Sequence, residues 1–229
     1  MWVPPAASAV PLTSTPNPWS EKPMDKNSLA LKNAAFGGDL NEVKRLIESG
    51  ADVNAADESG SGTLLNFHPP VTAFLLANGA NPDLQTNENG ASVLAGLCYV
   101  NQTECVRLIL EHGANPNLGR ADSGETPLHH ALANNAGIGI IQLLIDHGAK
   151  VNAKTKPDTH SYNFFGDTRT CEETPLHRAA AYAPIEIIKL LLHSGADPQC
   201  RDANGDQPHQ WAGKHRRSKE IVELLFAQS

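Results

Sequence analysis

Residues 174–197 read TPLHRAAAYAPIEIIKLLLHSGAD and carry the signals for two short helices in succession. Thr174 is a residue type that caps helix N-termini, and Pro175 suits the first helical position, where a backbone N–H has no helical acceptor. Further on, the apolar run IIKLLLH has the three- and four-residue spacing of one helical face. Gly195 then supplies the left-handed residue that commonly ends a helix. The stretch therefore predicts a pair of helices.

The same signals recur along the chain. A second intact TPLH begins at Thr126, and altered copies begin at Thr63, Ser92 and Gln207. Glycine followed by alanine recurs at five positions, which are Gly50, Gly79, Gly113, Gly148 and Gly195. The period is about 33 residues, which is typical of a repeat array in which each copy is one supersecondary unit.

These motifs together resemble the ankyrin repeat. The resemblance implies an all-α solenoid of about six helix-turn-helix repeats. Hairpin-like fingers would project from the stack, and the first helices and the fingers would line a concave face. One repeat of this kind cannot bury its apolar face alone, so its stability comes from stacking on its neighbours. Closely approaching helices also suit a composition with only 5% aromatic residues.

The phase of the motifs divides the chain. It predicts an ankyrin-repeat domain over residues 26–229 that follows a disordered, Pro-rich tail over residues 1–25. The tail contains Trp2 and Trp19, and its alternative interpretation is a segment that docks on a partner or on the array. The predicted repeats are 26–58, 59–87, 88–120, 121–154, 170–202 and 203–229, with a finger insertion at 155–169.

The fourth finger is longer than the others. The interval from Gly148 to Thr174 is 26 residues, twice the usual 13, so about 13 residues are added there. The added segment contains Tyr162, Phe164 and Phe165, and insertions in repeat proteins often lie on the binding face. Exposed aromatic side chains indicate either an interaction site or a contact with the protein's own surface, and the sequence leaves both interpretations open.

The second copy is shorter than the others. His68, Pro69 and Pro70 fall where its first helix would continue. Proline removes a backbone donor and forces extended geometry on the residue before it. We therefore predict a truncated first helix and an irregular step in the stack at this point.

Charge and composition argue against several classes of function. The formal net charge of −7 disfavours binding to nucleic acid, and no apolar run has the roughly 18 residues that cross a membrane. The N-terminal segment lacks the features of a secretory signal, which predicts a cytoplasmic protein with four reduced cysteines. The basic run KHRRSK near the C-terminus is interpreted as the polar cap of the last repeat, with a nuclear-localisation or phosphate-binding patch as the alternative.

Catalytic and metal-binding patterns are missing from the sequence. It contains no GxSxG, HExxH, GxGxxG or GxxxxGK(S/T) motif, and its ten histidines are spread along the repeats. We therefore expect no enzymatic activity, no metal and no cofactor. The competing hypothesis is an enzyme or small-ligand receptor with a pocket between the array and the enlarged finger, where Asp167, Cys171, Glu172 and His177 are the candidate side chains.

The family resemblance also indicates which residues meet a partner, because positions after the TPLH histidine and after the alanine pair face the concave groove. The predicted partner-binding residues are His130, Asn134, Arg178, Tyr182, Trp211 and Lys214 in the groove, with Tyr162, Phe164 and Phe165 on the finger. Aromatic and arginine side chains dominate interface energetics. The sequence therefore predicts a non-catalytic protein–protein interaction module, monomeric when free, whose partner presents an acidic or aromatic segment.

Overall fold

A computed structural model gives the fold of this chain. It describes five segments, which are residues 25–56, 62–85, 90–159, 161 and 169–227. The predicted tail lies outside the described residues except for Asp25, and so do the finger aromatics Tyr162, Phe164 and Phe165. None of the helices in the described segments is long and apolar enough to span a bilayer.

The described segments form helices, with two isolated backbone bridges (Ala56 with Gly62, and Gln85 with Ser92). In chain order the helices are α1 (Lys26–Gly37), α2 (Leu40–Glu48), α3 (Pro69–Ala77), α4 (Val93–Tyr99), α5 (Thr103–Glu111), α6 (Pro127–Ala133), α7 (Ile138–Asp146), α8 (Pro175–Tyr182), α9 (Ile185–His193), α10 (Pro208–Lys214) and α11 (Lys219–Ala227). The all-α class predicted from the sequence is confirmed.

The helices form two layers that run along the array. Helices α4, α6, α8 and α10 contact one another in chain order, and α2, α3, α5, α7 and α9 form a second row in the same way. The two rows meet within each helix pair, as between α8 and α9. Leucines of the first row, such as Leu128 and Leu176, and isoleucines of the second, such as Ile109 and Ile141, are fully buried in one continuous core. The predicted helical solenoid is confirmed.

The TPLH histidines connect neighbouring repeats. In the copy that begins at Thr174, Nδ1 of His177 accepts the threonine backbone N–H at 3.1 Å, and Nε2 lies 3.0 Å from the backbone oxygen of Asp206. Because Nδ1 accepts a hydrogen bond, Nε2 carries the proton and donates a hydrogen bond to the Asp206 oxygen in the next repeat. His129 repeats this arrangement with the oxygen of Glu173 at 3.4 Å. Each intact TPLH therefore caps its own helix and binds the following repeat.

Asparagines at the start of the fingers form a second connection between repeats. The Asn117 side chain donates to the backbone oxygen of Gly148 at 2.9 Å and accepts the N–H of Lys150 at 2.7 Å. Asn54 and Asn152 each make the same pair of bonds with the backbone of the repeat that follows them. The second helices end at the predicted glycines, which have φ between 85° and 89°. The helix ends are thus held in register by side chains from the preceding repeat.

The second copy departs further from the family pattern than its sequence predicts. No helix forms over residues 62–68, so its first helix is replaced by turns rather than truncated. Pro69 and Pro70 begin the second helix, α3, because proline at the first helical positions costs no hydrogen bond. The gap leaves Phe36 and Phe67 exposed by 60% and 38%, with ring centroids 6.0 Å apart.

Two glycines offer a matched test of the ends of α7, one in its first turn and one just beyond its C-terminal cap. Gly148 has φ of 88°, so Gly148→Ala should lower the free energy of unfolding by about 1 kcal/mol, because a side chain disfavours the left-handed conformation. Gly139 lies in the first turn of α7, where an added methyl group would make an ordinary contact with Cγ2 of Thr103 at 3.9 Å, and Gly139→Ala should raise the free energy of unfolding by about 0.5 kcal/mol. Urea denaturation of both variants measures these changes. Equal effects of the two substitutions would contradict the assignment.

Candidate functional site

The base of the fourth finger is built around one buried arginine. Arg178, the residue after the second intact TPLH, has no exposed surface. Its Nη2 lies 2.7 Å from Oε1 of Glu125 and 2.5 Å from Oε1 of Glu173, and its Nη1 donates to the backbone oxygen of His129 at 3.2 Å. Both glutamates are also buried. The guanidinium therefore binds two carboxylates that each lie directly before a TPLH segment.

Hydroxyl groups attach the finger to this ion cluster. Ser161 donates to Oε1 of Glu125 at 2.6 Å, and Thr155 donates to Oε2 of Glu173 at 2.6 Å. The backbone N–H of Cys171 donates to the same Oε2 at 2.8 Å. These donors come from both arms of the finger, so the inserted segment starts and returns at a point that the buried ion pairs hold.

The electrostatics of the cluster keep both carboxylates ionised. Burial alone raises a carboxyl pKa, but the Arg178 charge and the hydrogen bonds from Ser161 and Thr155 outweigh it. The pKa of Glu125 falls to about 2, with Arg178 and His130 as the largest lowering influences, and the pKa of Glu173 also falls to about 2. Burial and the charge of Arg178 lower the pKa of His129 to about 3, which keeps its ring neutral.

The structure corrects the prediction for two groove residues. Arg178 is fully buried, so it is not available to contact a partner and instead positions the finger. His130 is 4% exposed, which also removes it from the accessible surface. The family position of Arg178 does not anticipate the two buried glutamates that it bonds, Glu125 and Glu173. A glutamate precedes each intact TPLH segment, and these two acidic residues were the sequence signal for a cationic side chain within the protein that pairs with them.

The remaining predicted groove residues are accessible. Asn134 is exposed, and its side chain donates to the backbone oxygen of Tyr99 at 2.9 Å. Tyr182 is 37% exposed, and its ring centroid lies 4.8 Å from that of His215. Trp211 is half-buried and Lys214 is exposed. Tyr182, Trp211 and Lys214 come from α8 and α10, which are in contact, so the structure brings these three residues to one end of the array.

A depression of about 200 Å³ lies at this end, and we call it the C-terminal pocket. Its lining residues are Asp202, Asn204, Asp206, Trp211, Lys214 and His215. Asp202 to Asp206 form a finger turn, in which Oδ1 of Asp202 accepts the backbone N–H groups of Asn204 and Asp206 at 2.9 Å. The turn also carries two carboxylates to the side of Trp211, and this second role was not predicted.

Two family models for ankyrin repeats match the chain. A model of three repeat copies matches residues 61–155, and a model of a single repeat matches residues 171–203, so together they cover more than half of the chain. This chain belongs to the ankyrin-repeat family. Ankyrin repeats generally mediate protein–protein interaction, and the array is assigned that general role. In the described part of this ankyrin-repeat protein, no three His, Cys, Asp or Glu side chains are grouped to hold a metal ion.

Relatives share part of the array. The ankyrin-repeat chain is 28% identical over 190 residues to the B-cell lymphoma 3 protein homolog of Mus musculus, which covers 80% of this chain and 38% of the relative. It is 32% identical over 136 residues to a putative ankyrin repeat protein of Rickettsia felis, which covers 57% of this chain and 43% of that protein. The chain therefore spans less than half the length of these relatives.

One solved structure matches most of the array. It is a complex of a predatory endopeptidase from Bdellovibrio bacteriovorus with an immunity protein, and one of its chains matches with a TM-score of 0.71 and 25% identity. The match covers 87% of this chain and 98% of that chain. Nearly all of the matched chain therefore has the same fold as this ankyrin array.

The buried arginine can be tested by substitution. Arg178→Met removes the cation that bonds both buried carboxylates and leaves Glu125 only the longer contact with Arg120 at 3.9 Å, so it should lower the free energy of unfolding by about 3–5 kcal/mol at pH 7. Arg169→Met is the matched control on the same finger, because the Arg169–Asp158 pair is exposed; it should change the free energy of unfolding by less than about 1 kcal/mol. Urea denaturation at pH 7 provides both values, and similar losses would contradict the structural role of Arg178.

The pH dependence of the stability of wild type and of Arg178→Met gives an independent check. The folded pKa values of Glu125 and Glu173 lie below their unfolded values, so the unfolded chain binds more protons in acid. The stability they contribute is present above about pH 5 and is lost as the pH falls towards about 2. The stability difference between wild type and Arg178→Met should therefore shrink on acidification. A difference that is constant with pH would contradict the proposed ionisation.

Proposed function

We propose that this chain binds a partner protein through the C-terminal end of its concave groove together with the enlarged fourth finger. The observation that carries the proposal is the grouping of Tyr182, Trp211 and Lys214 beside a pocket on adjacent first helices. Aromatic residues at the centre of a concave surface bury a large area for few rotatable bonds, which favours tight binding. We also propose that the free protein is monomeric, because one continuous core buries the apolar faces between its repeats.

The finger supports the same surface. Its two arms are attached to the Arg178 cluster on α8, the helix that ends at Tyr182. Segments that are already held in their bound orientation lose less conformational entropy on binding. The aromatic residues Tyr162, Phe164 and Phe165 occupy the part of the insertion between those arms, so we assign them to the partner contact.

The competing enzyme hypothesis has little support at the finger base. His177 is occupied by its helix cap and by the contact with Asp206, and burial lowers its pKa. Burial, together with the nearby carboxylates, raises the pKa of the Cys171 thiol, which disfavours the thiolate that a nucleophile needs. A reaction at this place would lack an activated group among the described candidates.

A second candidate function concerns the class of partner. The matched solved chain belongs to a complex that contains an endopeptidase and an immunity protein. This supports an enzyme as the bound protein, with the array acting as its regulator. The identity of a captured partner, and its activity with and without the array, distinguish this function from a scaffold.

Loss of Tyr182 should weaken capture of the partner. Tyr182→Ala removes an exposed ring from the proposed contact, and a hot-spot loss of about 2 kcal/mol corresponds to roughly 30-fold weaker binding. Ile138→Ala is the matched control, because Ile138 is 50% exposed at the start of α7, in the second row of helices. Quantitative affinity capture with both baits measures the effect. Equal recovery with both would contradict the groove assignment.

The finger is tested separately in the same capture assay. Replacing Tyr162, Phe164 and Phe165 by serine removes the apolar surface of the insertion and leaves Ser161 and Thr155 to hold its base. We expect recovery of the partner to fall by at least about tenfold, because three aromatic side chains would leave the proposed interface. Circular dichroism should show unchanged helical content. Full recovery would remove the finger from the interface while leaving the groove proposal intact.

A further inference from the structure

The positive charges that the sequence placed in the groove are neutralised in the fold. Arg178 is buried between Glu125 and Glu173, and Lys214 forms an ion pair with Asp206 at the pocket rim. The lysine side chain is 62% exposed, whereas the aspartate side chain is 14% exposed. The cationic character expected of this end of the groove is therefore largely cancelled within the protein.

Asp202 adds a negative charge that forms no ion pair among the described residues. It is 6% exposed, and the described donors to its carboxylate are neutral: the Trp211 indole N–H at 2.9 Å, two backbone N–H groups and the Cys171 thiol at 3.6 Å. Burial opposes ionisation, but these hydrogen bonds outweigh it and lower the pKa of Asp202 below its ordinary value. The pocket therefore holds two carboxylates against one lysine, a local balance of −1.

The walls of the pocket are aromatic and fixed in orientation. The hydrogen bond to Asp202 and an edge contact with His177, at 5.5 Å between ring centroids, orient the Trp211 ring. His215 lies 6.2 Å from Trp211 and 4.8 Å from Tyr182, again between ring centroids. An aromatic face beside carboxylates attracts a flat or compact cation, because the ring quadrupole and the negative charges act together.

We infer that the C-terminal pocket receives a positively charged side chain of the partner, a guanidinium or an ammonium group, and that Lys214 occupies the cation position in the free protein. The planar guanidinium of arginine fits best, since it stacks on an aromatic ring while its N–H groups reach a carboxylate. The sequence predicted an acidic or aromatic partner segment, and the inference instead assigns a basic side chain to this pocket. This inference rests on the proposed function, because it names the chemistry of the segment that the same surface binds.

Small probes test the pocket without knowledge of the partner. N-acetyl-arginine amide is titrated into the full ¹⁵N-labelled chain, with N-acetyl-norleucine amide and N-acetyl-glutamate amide as matched apolar and anionic probes. The indole N–H resonance of Trp211 is the readout, assigned among the three tryptophans with Trp211→Phe. We expect a saturable shift with the arginine probe and none with the other two.

Two substitutions then distinguish the sign of the preferred charge. Lys214→Met removes the internal competitor and should tighten binding of the arginine probe by about threefold or more, as expected for one partly exposed charge interaction. Asp206→Asn keeps the shape of the rim and should weaken binding of this probe by a similar factor. Lys219→Met is the matched control, because Lys219 is an exposed lysine paired with Glu223 on α11, a pair that is not part of the pocket; it should leave binding unchanged.

Several outcomes would overturn the inference. A saturable shift with the glutamate probe that Lys214→Met abolishes would show an anion site, and equal gains from Lys214→Met and Lys219→Met would show a general charge effect. Absence of any shift with the arginine probe in both wild type and Lys214→Met would also reject it. None of these results affects the capture assay with Tyr182→Ala, so failure of the pocket is distinguishable from failure of the groove.

Discussion

Every part of this structure depends on the contact between neighbouring repeats. A pair of helices of seven to twelve residues each is too short to be stable alone in water, because such helices are marginal without tertiary packing. The apolar side chains of one pair are covered only when the next pair stacks on it. Polar bonds then determine the spacing, through the TPLH histidines on one row of helices and the finger asparagines at the ends of the other.

The same requirement explains where function is located. Residues that face a neighbouring repeat are committed to stacking, whereas the concave face and the fingers carry side chains that are available for other roles. This chain differs from a regular repeat array in two features of its C-terminal half. It has lengthened one finger and tied its base to a buried arginine, and it has placed two carboxylates beside Trp211. Both changes concern charged groups inside or beside an otherwise apolar stack.

Local signals made much of the fold predictable. The Thr-Pro starts and the Gly-Ala ends depend on residues within a few positions of one another, and the helices begin and end there. The burial of Arg178 could not be derived in this way. Its partner Glu125 is 53 residues away, and the pairing arises only after two repeats and a finger have stacked. The family phase placed Tyr182, Trp211 and Lys214 near one another, but it carried no information about the Lys214–Asp206 pair that cancels the charge.

The replacement of the first helix in the second repeat also shapes how the array behaves as a whole. The third, fourth and fifth repeats are joined to one another through both rows of helices, whereas α1 has no following first helix and α2 meets α3. In a linear array the stability of each repeat depends on its interfaces with its nearest neighbours, so a smaller interface couples the repeats on either side less strongly. We therefore expect the N-terminal helix pair to open separately from the distant pocket and the base of the finger. Thermal melting followed at the two ends of this chain need not report a single transition.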